Sequence, residues 1–315
     1  MSTRQVVALG GAAFGALLAL NGALSRTPPP PLKSTMPGEA RRFKGDEGSI
    51  HYIVAGSGAP LVLVHGIGVA ASSFEYRYVV ELFSRSHMVY VPDLLGFGLS
   101  DHPDLEFAGS TYIKMLSDFL EREVRAPAVL LGCGLSALYC IAVAAHQPDL
   151  VSAVALCMPS FPDGRSDLPP PLRLAVDGVL STPVVGNNLF RLMTARNALR
   201  SHLRERSYSN PDLVTESMVD AQYSMAHQPN ALLAPHAYLA GRLGLDVSSE
   251  LSGLKQSVLV LAGANAMPSP RNCIAHYVRL SPHVRVAMIA NCGTLPHEEQ
   301  PEQFVNAVHA WIDAP

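Results

Sequence analysis

Charge is scarce in this chain. Asp, Glu, Lys and Arg make up 16% of its 315 residues, against about a quarter in ordinary soluble domains. The 23 basic and 26 acidic residues leave a net charge of -3, which gives no general attraction to nucleic acid. Cysteine is sparse and odd in number: Cys133, Cys140, Cys157, Cys273 and Cys292. Such wide spacing, with no C-x-x-C pair, is not a disulfide framework, so reduced and mostly buried thiols are expected. There is no G-x-G-x-x-G fingerprint and no P-loop, and the twelve histidines are scattered without a neighbouring carboxylate in H-x-x-x-H spacing. No cofactor and no metal ion is therefore expected. A hydrophobic content of 48% excludes disorder over most of the chain, and collagen and coiled-coil periods are absent. The length is ample for one large core without staples.

What the chain does have begins at its N-terminus. Residues 5–24 carry no charge, with Arg4 before them and Arg26 after. Twenty helical residues would cover about 30 Å, the thickness of a bilayer core. Residues 1–26 are thus expected to be a membrane anchor. The alternative is a cleaved signal leading to a secreted or periplasmic product, although Asn21-Gly22-Ala23 is a poor exit site. Residues 27–42 hold Pro28, Pro29, Pro30, Pro31 and Pro37 and read as a semi-rigid polyproline spacer.

Beyond the spacer, strand-like runs recur at 50–54, 61–64, 88–91, 129–131, 151–156, 258–261 and 285–289. The middle runs are unbroken apolar, as in strands buried on both faces of a parallel sheet. Helical patterns at 112–124, 136–145 and 301–312 lie between them. The alternation predicts an α/β fold with a mostly parallel central sheet flanked by helices. Ligands of such sheets sit beyond the carboxyl ends of the strands. The core is placed at 43–159 and 257–315, and the strandless stretch 160–256 is placed over it as an inserted helical cap. Arg196, Arg200 and Arg204 recur at helical spacing in that cap. Their stripe is either a solvated face or a rest on anionic headgroups.

Three segments carry a resemblance. His65-Gly66-Ile67-Gly68 follows a strand directly, Pro92 to Asp101 reads PDLLGFGLSD, and a strand–turn–helix surrounds Gly132. Together and in this order they resemble the α/β-hydrolase fold family. The resemblance is to a bacterial subgroup with an N-terminal apolar segment. It implies that His65, Gly66 and Ile67 form an oxyanion loop, with the Ile67 amide pairing with that of Leu135 just after the nucleophile position. Gly96, Gly98 and Asp93 read as a structural turn.

The same resemblance exposes three losses. The elbow needs small-x-nucleophile-x-small, but here it reads Gly132-Cys133-Gly134-Leu135-Ser136, so Gly134 stands at the nucleophile position without a side chain. Ser136 and Cys133 are weaker alternatives, the first crowding the turn and the second pointing away from the oxyanion loop. Ala266 occupies the acid position, with Asp163 as a remote substitute. Thr294 occupies the base position, three residues before His297, which the resemblance offers as a displaced base. Loss of nucleophile or base alone removes most of a triad's rate advantage. The expectation is a degenerate triad and a membrane-tethered pseudoenzyme, a binder of a small apolar carbonyl or ester compound. The alternative is an atypical, esterase-like or non-hydrolytic enzyme using the HGIG loop and His297.

Overall fold

The computed structural model describes residues 36–166 and 168–314. Eight strands form one sheet: β1 (Glu39–Lys44), β2 (Ser49–Gly56), β3 (Ala59–Val64), β4 (His87–Pro92), β5 (Ala128–Cys133), β6 (Val151–Cys157), β7 (Ser257–Gly263) and β8 (Arg285–Ile289). Their spatial order is β1-β2-β4-β3-β5-β6-β7-β8. β2 runs antiparallel to β1 and β4, and every pairing from β4 to β8 is parallel. This is the mostly parallel α/β sheet expected from the alternation of apolar runs and helices, and it fits the α/β-hydrolase fold that the resemblance implies.

Side chains alternate across a strand, and here the alternation sorts two cores. Leu130 of β5, Val62 of β3 and Leu156 of β6 face one layer. That layer is filled by α2 (Gly109–Phe119) and α3 (Ser136–His146), which contribute Tyr112, Leu116 and Tyr139. Leu131 and Cys133 of β5 and Cys157 of β6 face the other layer, with Tyr76, Phe83, Phe304 and Trp311. The short α1 (Val80–Phe83) and the last helix of the chain lie on that side.

Strand β1 is amphipathic only at its end, exposed at 39–42 and buried at Phe43. That weak signal lies in the stretch read as spacer, yet β1 pairs with β2 along its whole length, and Met36 is already buried. The folded body therefore starts before residue 39. The anchor expected at residues 1–26 lies outside the described residues. Among those described, no helix is long and apolar enough to cross a membrane.

Between β6 and β7 come α4 (Pro170–Leu180), α5 (Pro183–Met193), α6 (Arg196–His202), α7 (Glu216–Ala226), α8 (Leu233–Leu239) and α9 (Ser248–Gly253). They do not behave as one lid. Phe190, Leu199, Leu203, Met218 and Val219 build a separate small core that closes on Ala70 of the loop after β3. Ala234, Ala237, Leu243, Val247 and Leu251 instead join the main core. The arginine stripe is tied down within the cap. Arg196 pairs with Asp220 at 2.6 Å and lies over the Tyr223 ring, while Arg200 forks onto Glu216. Two of the three basic groups thus serve α6–α7 packing and are not held free for a headgroup. After β7 come α10 (Arg271–Leu280), α11 (Pro296–Glu299) and α12 (Pro301–Ile312).

Candidate functional site around Gly134

The site is built at the carboxyl end of β5. Gly134 has φ of 55°, in the left-handed region where a Cβ costs about 1–2 kcal/mol. Glycine at this position makes the turn without that strain. Its backbone is locked on both sides: its N–H donates to Cys157 O at 3.0 Å, and its carbonyl accepts from Ser160 N at 3.0 Å. α3 then starts at once. The sharp strand-to-helix bend is complete, and a Cβ added at Gly134 would meet no atom within 4 Å. The position the resemblance gives to a nucleophile thus faces open space.

The loop 65–68 lies against the end of β5, where a Cβ added at Gly66 would stand 3.7 Å from Cys133 O. His65 is fully buried; its Nε2 accepts from Leu94 N at 2.9 Å, which puts the proton on Nδ1, 2.7 Å from Gly66 O. Burial holds its pKa below the usual histidine value, against the opposing charge of Asp93. His65 is a fastener between the loops after β3 and β4. Ser136 is also fully buried and donates to His65 O at 2.6 Å, so its hydroxyl is spent inside the protein. The amides of Ile67 and Leu135 donate to no protein acceptor among the described residues.

Asp93 organises the turn after β4. Its carboxylate accepts from Ser73 N at 2.7 Å and Leu99 N at 3.0 Å, and lies 3.0 Å from His51 Nδ1. Burial alone would raise its pKa, but the bond from His51, the charge of His65 and the Leu99 amide outweigh it and hold the carboxyl below the usual range. A Cβ at Gly98 would come within 2.2 Å of Asp93 Oδ1. This Asp–Gly pair is a structural turn.

The residues that the resemblance sets at the acid and base positions are turned to other tasks. Ala266 is 2% exposed and offers only a methyl group. Its neighbour Asn265 donates to Ser209 Oγ of the cap at 3.1 Å. Asp163 faces Arg165, accepting from its amide at 3.1 Å and lying 3.5 Å from its guanidinium. Thr294 donates through both N–H, at 2.9 Å, and Oγ1, at 3.0 Å, to Ser207 O, so it serves as a tie to the cap.

His297 does not turn towards the elbow. It is fully buried on the layer behind the sheet, beside Tyr76 and Phe304. Its Nδ1 lies 3.6 Å from Cys157 Sγ and 4.0 Å from Cys133 Sγ. Its Nε2 lies 3.8 Å from Glu75 Oε1 and makes no hydrogen bond. Burial, helped by the charge of Arg77, lowers its pKa to about 3. Burial also raises Glu75 to about 8, against the opposing bond from Gly66 N. Both are neutral near pH 7, so their approach is not an ion pair.

Several residues near the loop carried no readable pattern in the sequence. Glu75 accepts from Gly66 N at 3.1 Å and so braces the HGIG loop. Glu298 accepts from Arg77 and from Tyr208 of the cap, with these groups nearly buried. Cys157 meets Cys133 in register across β5 and β6. The one available signal is an acidic residue at 75, the first charge after the HGIG loop. No metal was expected from the sequence. The fold nevertheless brings Cys133, Cys157 and His297 together with ligand atoms within 4.8 Å of one another.

The comparisons agree with this architecture. The description "Alpha/beta hydrolase family" matches residues 61–307, and the chain belongs to that family. It is 25% identical over 299 residues to haloalkane dehalogenase 2 of Mycobacterium tuberculosis, spanning 90% of this chain and 96% of that one. It is 24% identical over 289 residues to the cis-3-alkyl-4-alkyloxetan-2-one decarboxylase of Shewanella oneidensis, spanning 86% and 88%. A solved serine hydrolase involved in carbazole degradation superposes with a TM-score of 0.71 at 21% identity, covering 87% of this chain and 98% of that one.

Proposed function

We propose that this member of the alpha/beta hydrolase family binds a small apolar carbonyl or ester compound over Gly134 and does not form a covalent acyl intermediate. One observation carries the reading. The elbow keeps its φ of 55° and the open space in front of it, while the residue there has no side chain. A carbonyl oxygen set between the Ile67 and Leu135 amides would be held by two N–H donors. No group at Gly134 could attack the carbon, and neither Ala266 nor Thr294 could activate water. The relatives' printed names span dehalogenation, hydrolysis and decarboxylation, so the fold does not select the chemistry.

The other reading, an esterase-like or non-hydrolytic enzyme based on His297, requires the imidazole at the elbow. Its contacts with Cys133, Cys157 and Glu75 weigh against it. The test uses the full chain and p-nitrophenyl butyrate. The expected result is saturable binding with no p-nitrophenolate burst, with binding abolished in Gly134→Leu, whose side chain would fill the space. A burst that titrates with protein and disappears in His297→Ala would overturn the proposal.

The uncharged run at 5–24 supports a further element of the reading, a tether placing this pocket at a membrane surface, where apolar compounds concentrate. The full chain should stay in the membrane fraction through alkaline carbonate washing, and a chain lacking residues 1–35 should not.

A further inference from the structure

The cluster behind the elbow is not used by the proposed binding site. Cys133 ends β5, Cys157 ends β6, and the two are direct partners across the parallel ladder. Both face the same layer because each occupies the same phase of the strand period as its neighbour. α11 then lowers His297 onto them. All three are buried, at 6%, 0% and 0% exposure.

We propose that Cys133, Cys157 and His297 form a buried site for a thiophilic d10 cation, Zn2+ or Cu+, with Glu75 as the outer carboxylate on the imidazole. The distances carry this. Sulfur and nitrogen ligands at about 2.3 and 2.0 Å from a tetrahedral centre stand about 3.5 Å apart; here they are 3.6 and 4.0 Å apart. In the metal-free protein the thiols can hydrogen-bond to the imidazole at these spacings, and all three ligand atoms lie within 4.8 Å of one another, close enough for one ion to draw together. The imidazole's outer nitrogen supports the same reading. Nε2 is buried and without a hydrogen bond, yet it aims at Glu75 Oε1, 3.8 Å away. Metal-bound histidines commonly give their second N–H to a carboxylate, and a small movement of His297 would complete that bond. Two thiolates with one nitrogen are a soft donor set, which selects Cu+ and Zn2+ over harder ions.

The binding step balances simply. Cys133 and Cys157 each lose a proton to solvent and each forms one S–metal bond, Nδ1 donates its lone pair, and the Nε2 proton stays on the ring. No oxidant or reductant takes part. Two thiolates neutralise Zn2+, whereas Cu+ leaves one negative charge beside the carboxyl of Glu75. Because the cluster is closed to solvent, the ion is expected to enter as the chain folds.

The full chain is produced in zinc-supplemented and, separately, in copper-supplemented medium, then purified under a phosphine reductant and a weak chelator. Bound metal is counted by mass spectrometry. Retention of about one equivalent of either ion, as for a structural site, supports the proposal, and the two cultures show which ion is held. Cys133→Ser/Cys157→Ser should lose it. Glu75→Gln should keep the stoichiometry in excess metal but weaken affinity about 10–100-fold. If the double variant fails to fold, Co2+ is supplied to the unmodified chain instead, where thiolate-to-metal charge-transfer absorption reports sulfur ligation. No retained metal with no charge-transfer band overturns the site, as does retention unchanged in a folded double variant.

Discussion

At the scale of single residues, two positions define what this pocket can do. Gly134 makes the elbow without strain, and its missing side chain leaves the space in front of it clear. Gly134→Ser should fold, at a cost of about 1 kcal/mol in a urea melt from the left-handed backbone. It should gain no ester turnover, because Ala266 and Thr294 supply neither acid nor base. His297 has a different signature, legible in its pH response. Its folded pKa of about 3 lies below an unfolded value of about 6.5. The stabilisation from its neutral form is therefore full above pH 6.5 and is lost as pH falls towards 3. In chelator-treated protein, His297→Gln should remove roughly 2–3 kcal/mol of the stability lost between pH 7 and 4.5, measured by urea melts at both pH values. Glu75 acts in the opposite sense. Its folded pKa of about 8 is raised, so its contribution is full below the unfolded value and fades as pH rises through 8.

At the scale of elements, close backbone approach fixes how the strand ends meet the loops. β7 ends at Gly263, where an added Cβ would come within 1.9 Å of Gly293 O and 2.7 Å of Cys292 O. Neither carbonyl is the tip of a flexible side chain, so the loop at 290–294 cannot yield cheaply. Gly263→Ala should cost about 3 kcal/mol or more, seen as a lowered thermal midpoint, and should loosen the loop holding Thr294. Gly132 is tight in the same way, with Cys140 Sγ 2.7 Å from its would-be Cβ. This spacing lets α3 pack flush on β5 and explains a small residue there that a nucleophile alone would not demand.

At the scale of the whole molecule, an acidic corner helps tie the cap to the core. Glu299 is 7% exposed and accepts from Ser209 N at 2.8 Å, Asn210 N at 3.1 Å and Gly293 N at 2.5 Å. Glu298 meets Arg77 of the core and Tyr208 of the cap, and Thr294 is bound to Ser207. Glu299→Ala strands three amides at once and should cost about 3 kcal/mol. Hydrogen exchange should rise first at 207–213, before the sheet is affected. Placing a histidine at Thr294 would break one of these ties, so rebuilding a triad here competes with cap docking.

The architecture was largely written in local pattern. Unbroken apolar runs specified the strands, the HGIG and PDLLGFGLSD segments marked the loops around the elbow, and the strandless interval holds helices alone. The family resemblance, laid on the same pattern, pointed to Gly134, Ala266 and Thr294, because chain spacing fixes which residue follows a buried strand. Local pattern missed β1, whose outer four residues are exposed on an edge and so lack a clear apolar period. It joined residues 234–251 to the cap, because whether a helix buries itself against the lid or the sheet is settled by packing and not by its sequence. The union of Cys133, Cys157, His297 and Glu75 lay wholly beyond the sequence. Those residues are separated by up to 222 positions, and only strand register, side-chain phase and the descent of α11 bring four polar groups into one buried volume.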